Sequence, residues 1–279
     1  MRKILVAING LKFDMHTLDF ACYLGRLTRS TITGVFLENQ VAEYKPVLKN
    51  AYYGTYLDWE VDENSPAHWN KMKKIDSNIT LFKEACSRRE VNCAIQRDEG
   101  SPAKEIIAES RFADLLIIDA ETSFNKHYEG SPTPFVKEIL QFAECPVIIA
   151  PESFDSIEEI IFCYDGSRSA FFSIKQFDYL LPELKYKKVT LVEVTKDSEL
   201  TIPEKENVKD WFERHYNNVQ FTVLNGEVKD ELFSYLLERK NAFVVMGSYG
   251  RGTLSHMFKS STAERVIKTT NLPVFITHP

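Results

Sequence analysis

The sequence predicts an α/β protein built as two tandem, open, doubly wound parallel sheets, and three observations carry that expectation. Short, almost continuous apolar runs such as Leu115–Ile118 and Val189–Val194 read as strands buried on both faces, the condition met in parallel sheets. These runs alternate with segments whose apolar residues recur at helical spacing, and right-handed crossovers turn such alternation into helices on both faces of a sheet. The 279 residues also repeat themselves, and at roughly 100 to 200 residues per domain the length alone points to two domains.

The chain opens with an apolar run, residues 3–8 (KILVAI), that ends at Asn9-Gly10 and is followed by helical spacing over 14–27. Near the middle, residues 159–164 (EIIFCY) end at Asp165-Gly166-Ser167, and helical spacing returns over 170–181. Residues 95–107 resemble 223–236: strand end, glycine, acidic residue, helix. ADLLII at 113–118 then matches AFVVM at 242–246, and CPVIIA at 145–150 matches LPVFIT at 272–277. Domains of 1–151 and 152–279 follow, with a linker near Pro151–Ser156.

Matched positions are offset by 156 residues at the first turn but by 126 and 127 further on, so the first copy carries 30 additional residues. They fall in 42–74, a segment rich in Tyr52, Tyr53, Tyr56, Trp59 and Trp69 without clear periodicity. The expectation is a long crossover covering the sheet edge or the partner half, in preference to an aromatic binding cage.

Composition bounds the function. With 44% hydrophobic and 27% charged residues the chain is far from the disordered regime. Residues 1–150 hold 18 basic and 21 acidic side chains and the rest 16 and 19, so each half carries −3. A basic arm or an acidic tail would concentrate one sign, and the even distribution argues against nucleic acid as a partner. Two basic residues precede only five consecutive apolar ones at the amino terminus, too few for a signal-peptide core or a membrane span, so a cytoplasmic protein with no membrane partner is expected. The five cysteines form no C-x-x-C pair and read as reduced, mostly buried thiols.

In a doubly wound sheet a ligand sits beyond the carboxyl ends of the strands where the strand order reverses. The most informative loop there runs from Met246 through Gly247, Gly250, Arg251 and Gly252 to Ser260, Ser261, Thr262 and Glu264. Gly247 and Gly250 permit positive φ and let a ligand approach the backbone; the three hydroxyl residues open a helix whose first amides lack intrahelical partners and hold anions. Ser261-Thr-Ala-Glu264 also fits a capping box, and on local pattern alone a cap is the simpler reading. Met246 could press on a ligand or merely end a core strand. Arg251 and Lys259 could neutralise phosphate or stay solvated, and His256 has no metal-ligand partner at helical or hairpin spacing.

With these residues the chain resembles the universal stress proteins. Nucleotide-binding members carry Gly, two residues, Gly, nine residues, then Gly and Ser or Thr, after a strand much like AFVVM. Gly247, Gly250 and Ser261 fit that spacing, and Ser260 stands where the third glycine would be. Asp165-Gly166-Ser167, Gly226 and Asn271-Leu-Pro273-Val extend the likeness, which covers nearly the whole chain as two copies. It implies a Rossmann-like fold of the adenine nucleotide alpha hydrolase type. For the ligand it implies ATP or a related adenine nucleotide with Mg²⁺, or none, since some members bind ATP and others do not. By carry-over, Asp165 and the backbone of Val194 would face adenine, with Met246 against the base or ribose. Gly247, Gly250, Ser260, Ser261 and Thr262 would surround ribose and phosphates, and Arg251 would balance phosphate charge. A Cβ at Ser260 narrows the closest phosphate approach. Members pair such domains through the last strand, which implies intramolecular pairing of the two halves through 146–149 and 273–276; a homodimer of whole chains is compatible with that.

The first copy departs further. Asn9 replaces the opening aspartate, Asp119 and Thr122 occupy the glycine positions, and Gly130-Ser131 survives as an isolated pair. Asp119 places a negative charge where a phosphate would sit, so this copy reads as degenerate, retained for packing or a different ligand. Three function classes are therefore in play. The first is a stress-response regulatory module whose second domain binds an adenine nucleotide, and the second is a structural or interaction protein of the same family that binds none. The third, an enzyme, has least support: no G-x-x-x-x-G-K-[ST] loop and no G-x-S-x-G elbow occur, and no base is evident for more than weak ATP hydrolysis.

Overall fold

The computed structural model describes residues 1–39, 44–195, 205–247 and 260–277. The first half contains β1 (Lys3–Asn9), α1 (Met15–Thr28), β2 (Thr31–Asn39), β3 (Lys45–Ala51), β4 (Gly54–Glu60), α2 (Pro66–Arg88), β5 (Cys93–Gly100), α3 (Pro102–Ser110), β6 (Leu115–Ile118), α4 (Pro134–Phe142) and β7 (Val147–Ile149). The second contains β8 (Glu159–Cys163), α5 (Arg168–Leu180), a 3₁₀ turn at Pro182–Leu184, β9 (Lys188–Thr195), α6 (Lys205–His215), β10 (Val219–Asn225), α7 (Val228–Leu237), β11 (Ala242–Met246), α8 (Ser260–Thr269) and β12 (Val274–Ile276).

Ten strands form one sheet in the order β10-β9-β8-β11-β12-β7-β6-β1-β2-β5. Counted within each half, the order is 3-2-1-4-5 read inward to the middle. Every neighbouring pair is parallel except β12 and β7, which run antiparallel with Phe275 opposite Ile148. Strands buried from both sides need apolar residues on both faces, and β6 (LLII) and β11 (AFVVM) are buried at every position. α1 starts where the sequence expects, because the Asp14 side chain accepts from the Thr17 amide at 3.0 Å and the His16 amide at 3.2 Å. It stops at Arg29, which takes a left-handed conformation while the Ser30 amide closes onto the Gly25 carbonyl at 2.9 Å.

The core is two apolar layers, one per sheet face. α1, α2, α5 and α6 enclose a phenylalanine-rich layer with Phe20, Phe36, Phe82, Phe162, Phe177, Phe243 and Phe275. α3, α4, α7 and α8 enclose an aliphatic layer that includes Leu116, Ile139, Leu232, Val266 and Met246. Both layers draw on both halves, and Phe20 meets Phe243 edge-on with ring centres 6.1 Å apart.

Segment 42–74 differs from the expectation of a covering crossover. The crossover is α2, a 23-residue helix capped by Ser65. Residues 45–60 instead make an antiparallel hairpin that forms a sheet of its own and is exposed along both strands except at Lys49 and Asp58. Those two side chains, less exposed than their neighbours, pair with each other at 2.9 Å.

Candidate functional site

The chain leaves β8 toward β9 and β10, and α7 then carries it back to β11 on the other side of β8. Such a reversal is where a doubly wound sheet offers a crevice, here beyond the carboxyl ends of β8 and β11. Val245 lies opposite Phe162, so the turn after Cys163 and the turn after Met246 face each other across it.

On the β8 side, the Asp165 carboxylate accepts from the Ser167 amide at 2.9 Å, Gly166 takes φ +75°, and Ser167 caps α5 by accepting from the Ala170 amide at 3.0 Å. This Asx turn holds Asp165 half-exposed at the rim. One strand over, Val194 is buried, and the Thr195 carbonyl after it accepts from the Gly226 amide at 3.0 Å. On the β11 side, a Cβ at Gly247 would lie 3.0 Å from the Ala170 nitrogen, so this strand end packs directly on the start of α5. The close approach that the sequence assigns to a ligand is therefore made first by the protein's own backbone. The Met246 side chain is fully buried in the aliphatic layer, where a residue ending a core strand packs.

Gly250 and Arg251 lie outside the described residues, as do Lys259 and His256. Ser260, Ser261 and Thr262 form the first turn of α8. The helix begins at Ser260, so Ser261 stands inside it rather than at the capping position predicted for it. Because β11 and β12 are parallel, α8 must start at the carboxyl end of β11, the side on which the crevice opens. The first amides of α8 have no intrahelical acceptors.

The matching crevice between β1 and β6 is different. Asn9 is used structurally: its oxygen accepts from the Leu11 amide at 2.9 Å and its amide donates to the Ser123 carbonyl at 2.6 Å. The Leu37 carbonyl, at the register position matching Val194, accepts from the Gly10 amide at 3.0 Å. α2 then covers the turn, with Asn78 donating to the Gly10 carbonyl at 2.8 Å and Ile75 in contact with Gly10. The Asp119 carboxyl is pushed up to about 6, chiefly by burial and further by the charges of Asp14, Glu121 and Glu152, against a single stabilising bond from the Glu121 amide. A cleft of about 830 Å³ remains beside it, bounded by Asn9, Asp14, Asp119 and Ser131 and reaching Lys268 in α8.

Two buried carboxylates escape a reading by pattern. Glu193 is 7% exposed, burial pushes its pKa up, and its Oε2 has no hydrogen-bond partner among the described residues. By register it occupies the position of Phe36 in the first copy. Glu38 is held by Arg97 at 2.6 Å and Lys71 at 3.1 Å. The one local signal for Glu193 is an acid inside the buried run KVTLVEVT. Among the described residues no group of three metal-ligating side chains occurs, and no helix is long and apolar enough to cross a membrane.

A parallel sheet of order 3-2-1-4-5 used twice, with a switch point in each copy, places the chain in the class of Rossmann-like α/β proteins. The model of the universal stress protein family matches residues 180–278. A universal stress protein of Synechocystis is 24% identical over 164 residues, 58% of this chain and 56% of that protein, so the match spans little more than half of the relative. Among solved structures, a universal stress protein of Archaeoglobus fulgidus superposes over 99% of this chain and 98% of its own with a TM-score of 0.72 at 16% identity. A structure from Pseudomonas aeruginosa described under the same family name covers 100% of this chain and 94% of its own, with a TM-score of 0.58 at 17% identity. Residues 180–278 thus match the universal stress protein family by sequence, and the fold of the solved universal stress proteins extends over both halves.

Proposed function

We propose that the protein is a stress-response regulator in which the carboxyl-terminal domain, residues 152–279, binds ATP or a related adenine nucleotide with Mg²⁺ in the crevice between β8 and β11. The amino-terminal domain, residues 1–151, binds no nucleotide and pairs with it through β7 and β12. One observation carries this reading: the two copies of the switch point differ in the way an anion would feel most. Gly247 stands where the first copy has Asp119, and a bare glycine tolerates a phosphate that a carboxylate repels. In the first copy, α2 also covers the turn where a base would lie.

Asp165 then accepts from the adenine amino group, and the backbone of Val194 lines the base. Gly247, Gly250 and the first turn of α8, Ser260 to Thr262, surround ribose and phosphates, with main-chain amides as donors. Arg251 balances phosphate charge, and Met246 supports the floor from below. The bound nucleotide spans the ends of β8 and β11 and the start of α8, so occupancy changes what this rim presents to a partner.

A second reading, an interaction protein of the same family without nucleotide, is favoured by Ser260 at the third glycine position. Mass spectrometry of the denatured, purified protein separates the two. A released adenine nucleotide supports the first reading; its absence, with no binding of added ATP, supports the second. Ser260→Gly tightens binding if its Cβ narrows the phosphate site, and unchanged affinity refutes that role.

A further inference from the structure

The β3–β4 hairpin is used by neither crevice. Residues directly opposed across an antiparallel pair share a face, and here Pro46 opposes Trp59 and Leu48 opposes Leu57. The other face carries Lys45 opposite Glu60, Val47 opposite Asp58, and Lys49 bridged to Asp58 and Glu60. The hairpin is thus amphipathic, but its apolar face is open: Leu48 is 70% exposed, Leu57 64% and Trp59 60%, and Tyr52 and Tyr53 at the tip are 99% exposed. A lone two-stranded hairpin is marginal in water and needs a surface against its apolar side.

We propose that this face docks onto the same face of a second copy of the chain, hairpin against hairpin about a twofold axis. Charge argues for self-association. Lys45 and Lys49 balance Asp58 and Glu60, all on the far face, so nothing on the hairpin selects an anionic membrane or a polyelectrolyte, and apposing two apolar faces buries no unpaired charge. Area agrees: at about 150–250 Å² per aromatic side chain, the exposed parts of Tyr52, Tyr53 and Trp59 with Leu48 and Leu57 offer about 800 Å² per copy. That is the per-partner share of a standard interface of about 1,600 Å². Pro46 has no N–H to offer an added strand on β3, which disfavours edge-to-edge growth and leaves closed face-to-face pairing.

Sedimentation equilibrium of the full chain between about 1 and about 100 micromolar, at and above the dissociation constant of the weakest interfaces of standard size, tests this. The expected mass is twice the 32.2 kDa chain. Leu48→Asp with Trp59→Asp returns it to a single chain that still unfolds cooperatively, because the hairpin forms a sheet apart from the core. If the charged pair disturbs folding, Leu48→Ala with Leu57→Ala serves instead and weakens the dimer by a factor of ten or more. A single-chain mass throughout the range overturns the proposal, as does a dimer that both pairs leave intact. A monomer that co-sediments with phosphatidylcholine or phosphatidylserine vesicles overturns it in favour of a lipid surface.

Discussion

Replacing Asp119 by Asn removes a penalty whose size follows from its surroundings. Burial beside Asp14, Glu121 and Glu152 raises the carboxyl from its ordinary 3.8 to about 6. A raised acid binds its proton more tightly in the folded state than in the unfolded one, so ionising it at neutral pH costs stability. The cost is full above pH 6, shrinks as pH falls through the interval between the two values, and vanishes below the lower one. A shift of about two units at about 1.4 kcal/mol each makes it about 3 kcal/mol at pH 7.5 and about 1 kcal/mol at pH 4.5. Asn keeps the acceptor that bonds the Glu121 amide and the shape of the side chain, so little else changes. Urea unfolding of both proteins at the two pH values is the assay. The variant should be more stable by about 3 kcal/mol at pH 7.5, with the advantage falling to about 1 kcal/mol at pH 4.5. An advantage independent of pH, or a variant less stable at pH 7.5, refutes the electrostatic account of Asp119.

Gly226 adopts φ +144°, and a Cβ there would meet the Glu231 side chain at 2.8 Å, so Gly226→Ala should cost about 1–3 kcal/mol of stability for the backbone alone, measured by the same unfolding. Phe177 sits between Phe162, Phe243 and Phe275 with ring centres 5.1 to 5.6 Å away; Phe177→Ala should cost about 3–5 kcal/mol, and a loss under about 1 kcal/mol would show that this layer repacks freely. Removing the Lys137–Glu264 pair between α4 and α8, 3.2 Å apart and partly exposed, should change stability by less than about 1 kcal/mol in a double-mutant cycle, since water screens it.

Sequence reading reached far into the fold because its signals are local. The buried run of β6 and the Asp14 cap of α1 are each written within a few residues, and the duplication lets one half corroborate the other. The hairpin was missed because its apolar residues align only across two strands: Leu48 and Leu57 share a face by register, and Val47 and Tyr56 on the other face blur the period within each strand. The site was legible as a set of residue types but not as a set of contacts. Gly247 against Ala170 and Asn78 against Gly10 join residues 77 and 68 positions apart, and only tertiary packing brings them together. Local spacing likewise put a cap at Ser261, whereas the helix starts at Ser260.

Calorimetric titration of ATP with Mg²⁺ into the full-length protein tests the central asymmetry most directly. Binding of one nucleotide per chain, abolished by Gly250→Val in a protein that still melts cooperatively and retained by Asp119→Asn, is the predicted result. No heat of binding, two equivalent sites per chain, or affinity indifferent to Gly250→Val would contradict it.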